Sequence, residues 1–158
     1  MNSDDLIHIF CSGYPVSADW QTVDALVLAV DSAAIDHRIE RLASKLEYLK
    51  RSGSVDVTEG LGPQTHAHMA LKDIARRWLH AQFGSKTKDE SYFAGLHPDV
   101  CSEDYHFIIE CGTTDPSSVR IYLSDERVVW IGNTPYPFAE DESIMLHIFS
   151  RGKNFFNW

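Results

Sequence analysis

Apolar residues recur along this chain at two spacings, three-to-four and two, and the alternation between them divides it into elements. Leu6-Ile7-His8-Ile9-Phe10 reads as a short strand ended by Ser12-Gly13-Tyr14-Pro15. From Val16 to Ser52 there is neither Gly nor Pro. Within that stretch Ile35, Ile39, Leu42, Leu46 and Leu49 step by four and three, which predicts an amphipathic helix from Ala33 to Lys50. Trp20, Val23, Val27 and Val30 fit an earlier helix capped by Ser17, although Leu26 to Val30 also fits a buried strand; helix is the preferred reading. Breakers crowd residues 52–64 and mark an internal boundary. A further helix runs from Ala67 to Phe83, with Thr65 as cap and Gly84 as stop. Its apolar stripe is Leu71, Ile74, Ala75, Trp78 and Leu79, with His68 inside the stripe and Lys72 at its margin.

After a polar loop from Gly84 to Asp89 the pattern changes to strands. Ser91 to Phe93, His97 to Ser102 and Phe107 to Cys111 are three candidates. Asp115-Pro116-Ser117 then opens a helix through Val119 to Leu123. Arg127 to Ile131 and Ser143 to Phe149 are later strands. From Ala67 the order is therefore helix, three strands, helix, strand, which is an α/β pattern.

Composition narrows the class. A length of 158 residues fits one domain, residues 1–158, with a strand and helical extension over 1–64, a core over 65–135, and a last strand and aromatic tail over 136–158. No apolar run approaches the roughly 20 residues needed to cross a bilayer, so no membrane partner is expected. The acidic start, Met1 to Asp5, is unlike a basic secretory leader, and three cysteines fit reduced thiols; both point to the cytoplasm. A net charge of −9 excludes a general basic coat for nucleic acid but leaves room for a local basic cleft, for which Arg76, Arg77, Lys86 and Lys88 are a modest group.

Three features stand out as candidate chemistry: His68 with Lys72, the Pro98-Asp99 step, and Glu110 at the end of the apolar run Phe107-Ile108-Ile109. A carboxylate at the end of an apolar strand is costly to desolvate unless it is paired, hydrogen-bonded or bound to a cation. Two of them on neighbouring strands suit Mg²⁺ or Mn²⁺. Strand alternation makes the register testable. Asp99 opposes Glu110 only if the hairpin turns through Glu103 to His106, with Cys101 facing Ile108. A tighter turn at Ser102-Glu103 would pair Asp99 with His106.

Pro98-Asp99, ten intervening residues, then Glu110-Cys111-Gly112 resemble the motif of the PD-(D/E)XK nuclease superfamily, and the element order from Ala67 to Ile131 resembles its fold. The resemblance implies a restriction-endonuclease-like α/β core, α-β-β-β-α-β with a mixed central sheet, carrying an N-terminal helical extension. It implies Asp99 and Glu110 as ligands of Mg²⁺ or Mn²⁺ and hydrolysis of DNA phosphodiesters. The family's lysine, two positions after the second acid, is Gly112 here. Lys72 is the better chemical substitute and Arg120 a second, steadying phosphate; His68 would hold a phosphate or a water. Restoring lysine at Gly112 would then raise activity. A catalytically inactive nuclease-fold module that binds protein or nucleic acid is the alternative, as is an assembly subunit, for example a homodimer, built on the helix Ala33 to Lys50.

Overall fold

Asn2 and Asp5 form a reciprocal cap: the Asn2 side chain accepts the Asp5 N–H at 2.9 Å and the Asp5 carboxylate accepts the Asn2 N–H at 3.1 Å. The cap starts a helix, α1 (Ser3–Cys11), where alternation alone predicted a strand. Leu6, Ile9 and Phe10 are three and four residues apart and all buried, so the helical period wins. The computed structural model describes residues 1–11, 20–53, 66–89 and 92–158. The expected caps Ser17 and Thr65, the turn at residues 12–15 and most of the breaker-rich segment lie outside the described residues.

Helix α2 (Trp20–Asp31) resolves the helix-or-strand ambiguity in favour of helix. The helix expected from Ala33 to Lys50 is instead strand β1 (Ile35–Ser44) followed by helix α3 (Lys45–Ser52). The reason is visible in the supposed stripe. Ile39 and Leu46 are 51% and 61% exposed, so the three-to-four spacing does not mark a buried face. Ser44 ends the strand and caps α3, its hydroxyl accepting the Glu47 N–H at 3.1 Å. Gly53 closes α3 in the left-handed conformation.

Helix α4 (His66–Phe83) follows its predicted span. The first strand of the meander is β2 (Thr87–Asp89), inside the segment expected to be loop, while Phe93 makes only an isolated bridge with Leu96. Then come β3 (Val100–Ser102), β4 (Phe107–Cys111), α5 (Ser118–Leu123), β5 (Trp130–Thr134) and β6 (Ser143–Arg151), and a short 3₁₀ turn at Phe155–Asn157. Strand β5 begins three residues later than its predicted start.

The six strands form one mixed sheet in the order β1-β6-β5-β4-β3-β2. All neighbours are antiparallel except β4 and β5, which run parallel with α5 as the crossover. One face packs Ile108, Ile131 and Phe149 against Leu6 and Phe10 of α1, Leu26 of α2 and Val119 and Tyr122 of α5. The other packs Val100, Ile109 and Leu146 against Tyr48 of α3 and Leu71, Ile74 and Leu79 of α4. The result is an α/β domain with helices on both faces. No described helix is long and apolar enough to cross a membrane.

Candidate acid site at the end of the central hairpin

The turn between β3 and β4 decides the geometry of the site. Ser102 donates its hydroxyl to Asp104 at 2.7 Å and accepts the Phe107 N–H at 3.0 Å, while Asp104 accepts the His106 N–H at 3.0 Å. These bonds close a turn through Glu103 to His106. Tyr105 takes a left-handed φ of 62° there, its ring stacked 4.3 Å from Phe93. The register that results pairs Val100 with Ile109 and Cys101 with Ile108. Extending it by one residue sets Asp99 opposite Glu110. This is the wider of the two turns weighed from the sequence.

At this end of the hairpin the Asp99 carboxylate takes over from the backbone ladder. Its Oδ2 accepts the Cys111 N–H at 2.8 Å, and its Oδ1 lies 3.1 Å from Nε2 of His68 on α4. A side-chain hydrogen bond joins Asp99 to Glu110. On the far side of Glu110, Tyr122 of α5 donates its hydroxyl to Oε1 at 2.7 Å. His68 in turn has its Nδ1 3.4 Å from the Tyr136 hydroxyl. Tyr122, Glu110, Asp99, His68 and Tyr136 therefore form one polar chain that crosses the end of the sheet from the α5 layer to the α4 layer.

The two carboxyls titrate in opposite directions. Burial and the nearby Asp99 charge push Glu110 up to about 8, although the Tyr122 hydrogen bond pulls the other way. Burial alone would raise Asp99 too, but hydrogen bonds from His68 and the Cys111 N–H outweigh it and hold Asp99 below its usual value. At neutral pH the pair carries one proton, on Glu110, and one negative charge, on Asp99. The Asp99 side chain is 21% exposed, so the charged member is the one solvent reaches.

The remaining predicted residues are distributed unevenly. Lys72, one turn after His68, is buried, and its charge together with that of Arg76 acts on the Cys111 thiol. Burial and the two acids raise that thiol well above its usual range, so Cys111 is an inert core group. Arg120 is elsewhere. Its guanidinium stacks over the Trp158 ring at 5.0 Å and donates to the Trp158 carbonyl at 3.1 Å. It anchors the tail. Sequence reasoning missed Tyr122 and Tyr136, whose only signal was an aromatic with a polar tip beside the predicted acid strand or between two prolines.

Gly112 answers the question of the missing lysine. It sits at φ 78°, and a Cβ placed on it would lie 2.6 Å from Cε2 of Tyr136. The space a side chain would need is filled by the Tyr136 ring, so lysine at this position is strained twice over, by backbone and by contact. The expectation that lysine at Gly112 would raise activity therefore meets an obstacle: the side chain has no room unless the Tyr136 ring moves.

Asp99 and Glu110 bring two carboxyls to one sheet end, the oxygen donors that Mg²⁺ and Mn²⁺ favour. Among the described residues no three His, Cys, Asp or Glu side chains converge on one point, so the protein itself offers two such donors and not a full cage. Comparison with family models, with curated proteins and with solved structures finds no match to this chain.

Proposed function

We propose that this chain is a restriction-endonuclease-like protein whose Asp99–Glu110 pair holds Mg²⁺ or Mn²⁺ and which acts slowly on DNA phosphodiesters. The observation that carries this reading is the β3–β4 register, which brings the two motif acids into hydrogen-bond contact at the sheet end. In this reading Asp99 and Glu110 are the ligands, and a bound ion supplies a Lewis acid for phosphate oxygen and water. His68 fixes the orientation of Asp99. Lys72 supplies positive charge from α4 on the side that Gly112 leaves without a cation. Slow turnover follows from Tyr136 occupying the space beside Gly112.

The test is cleavage of supercoiled, linear, single-stranded and branched DNA with Mn²⁺, using wild type, Asp99→Asn, Glu110→Gln and Lys72→Met. Slow Mn²⁺-dependent cleavage lost in both acid variants supports the reading. Cleavage that survives both substitutions contradicts it.

A second reading, a non-catalytic module on the same fold, is favoured by one observation. Both Asp99 oxygens and Glu110 Oε1 are already hydrogen-bonded within the protein. Saturable Mn²⁺ binding with no cleavage of any DNA form assigns the chain to this second reading.

A further inference from the structure

A second cluster of ionisable groups lies two strands from Glu110, in the row that pairs Glu110 with Asn133 and Asn133 with His147, on the side of the sheet that α1 covers. The pairing of Ile39 with His147 and of His37 with Phe149 places His37 and His147 diagonally on one face of the two strands. Nε2 of His37 is 3.1 Å from Nδ1 of His147, and the rings are within 4° of parallel. His8 reaches down from α1 and shares a cavity of about 360 Å³ with both of them and with Asp5. Its ring stacks on Phe138 at 4.1 Å, and its Nδ1 is buried without any hydrogen-bond partner. That nitrogen can pair with a water held in the same cavity.

We propose that His37 and His147 supply two donors to a transition-metal ion of the zinc type, with water filling its remaining positions in the cavity that His8 and Asp5 also line. Two nitrogens bound cis to one ion at ~2.0–2.1 Å stand ~2.9–3.4 Å apart, and the observed separation falls in that range. In the ion-free protein one hydrogen occupies the space between the two rings; on binding, the ring that carries it takes its other neutral tautomer, with the hydrogen on its far nitrogen, and both rings tilt toward the ion with no net proton released. Burial, His37 and His8 push His147 down to about 4, against the pull of Asp5. Burial, helped by the N-terminal ammonium, also lowers His37. Neutral imidazole is the form that binds metal. Imidazole donors suit Zn²⁺, Ni²⁺ and Cu²⁺ and disfavour Mg²⁺, so this site and the acid pair differ in the ions they select.

The experiment is calorimetric titration of the full chain with Zn²⁺ and Ni²⁺ at pH 7, with the histidine ring signals followed by NMR. Wild type, His37→Gln, His147→Gln, His8→Gln and Asp99→Asn are compared, each checked for a cooperative melt without ion. The expected result is one saturable equivalent, with the His37 and His147 signals shifted by the first addition. Affinity should fall at least about tenfold in His37→Gln and His147→Gln, fall less in His8→Gln, and stay unchanged in Asp99→Asn. Absence of saturable binding in wild type overturns the proposal. So does binding that survives both His37→Gln and His147→Gln. Because Asp99→Asn leaves this site intact, failure here is distinguishable from failure of the acid-pair reading.

Discussion

Asp99 and Glu110 oppose one another across the β3–β4 hairpin and share a hydrogen bond, one ionised and the other protonated at neutral pH. The asymmetry comes from their partners. Asp99 faces an imidazole and a backbone N–H, both of which favour its anion. Glu110 is almost wholly enclosed and has a phenol for company.

The first prediction follows from the Glu110 carboxyl. Its pKa is raised in the folded protein, so its stabilising effect is complete below the unfolded value near 4.5 and is lost as pH rises toward about 8. Glu110→Gln keeps the shape of the protonated acid without the titration. Ion-free Glu110→Gln should match wild type near pH 5 and exceed it at pH 8 by on the order of a few kcal/mol. Urea unfolding at the two pH values checks this. A variant less stable than wild type at pH 8 would contradict it.

Asp99 has the opposite sign. Its folded pKa is lowered, so its contribution is present above the unfolded value near 3.8 and disappears as pH falls further. Asp99→Asn weakens the His68 contact and should cost ~1–3 kcal/mol at pH 7. The gap between variant and wild type should narrow below pH 4, as read from the same unfolding curves.

Tyr122→Phe removes the donor to Glu110 Oε1 while keeping the ring in the core. The expected cost is ~1–3 kcal/mol, because a buried carboxyl oxygen loses its partner. Since that hydrogen bond restrains the Glu110 shift, the variant should titrate Glu110 at a still higher pH. NMR of the Glu110 side-chain carboxyl would show it.

Gly112→Ala tests the contact with Tyr136. A methyl group there meets the Tyr136 ring and forces a left-handed backbone on alanine. The expected loss is about 2 kcal/mol or more. Gly112→Lys should destabilise at least as much and add no cleavage activity. Increased cleavage from that variant would contradict the placement of Tyr136.

Much of this site was legible in the sequence because it depends on local pattern. Alternation places Asp99 and Glu110 on one face, and the polar Ser102-Glu103-Asp104 step is where the turn-closing bonds form. Helix α4 was legible because its stripe and its Gly84 stop agree. The N-terminal third was not. Ile35, Ile39, Leu42, Leu46 and Leu49 fit a helix, yet β1 is defined by pairing with β6, more than ninety residues later in the chain. In α1 the reciprocal Asn2–Asp5 cap was a readable signal, outweighed by a short apolar run that fits either period. Tyr136 reaches His68 from 68 residues away, a contact that no local pattern encodes.

In the proposed reading Asp99 and Glu110 share a proton at the place where a divalent cation would bind. Calorimetric titration of Mn²⁺ at pH 7, repeated in two buffers of different ionisation enthalpy, measures ion and proton together. The account predicts one equivalent of Mn²⁺, release of about one proton for each ion bound, and no binding in Asp99→Asn or Glu110→Gln. Absence of saturable binding at millimolar Mn²⁺, or binding that releases no proton and survives Glu110→Gln, would contradict it.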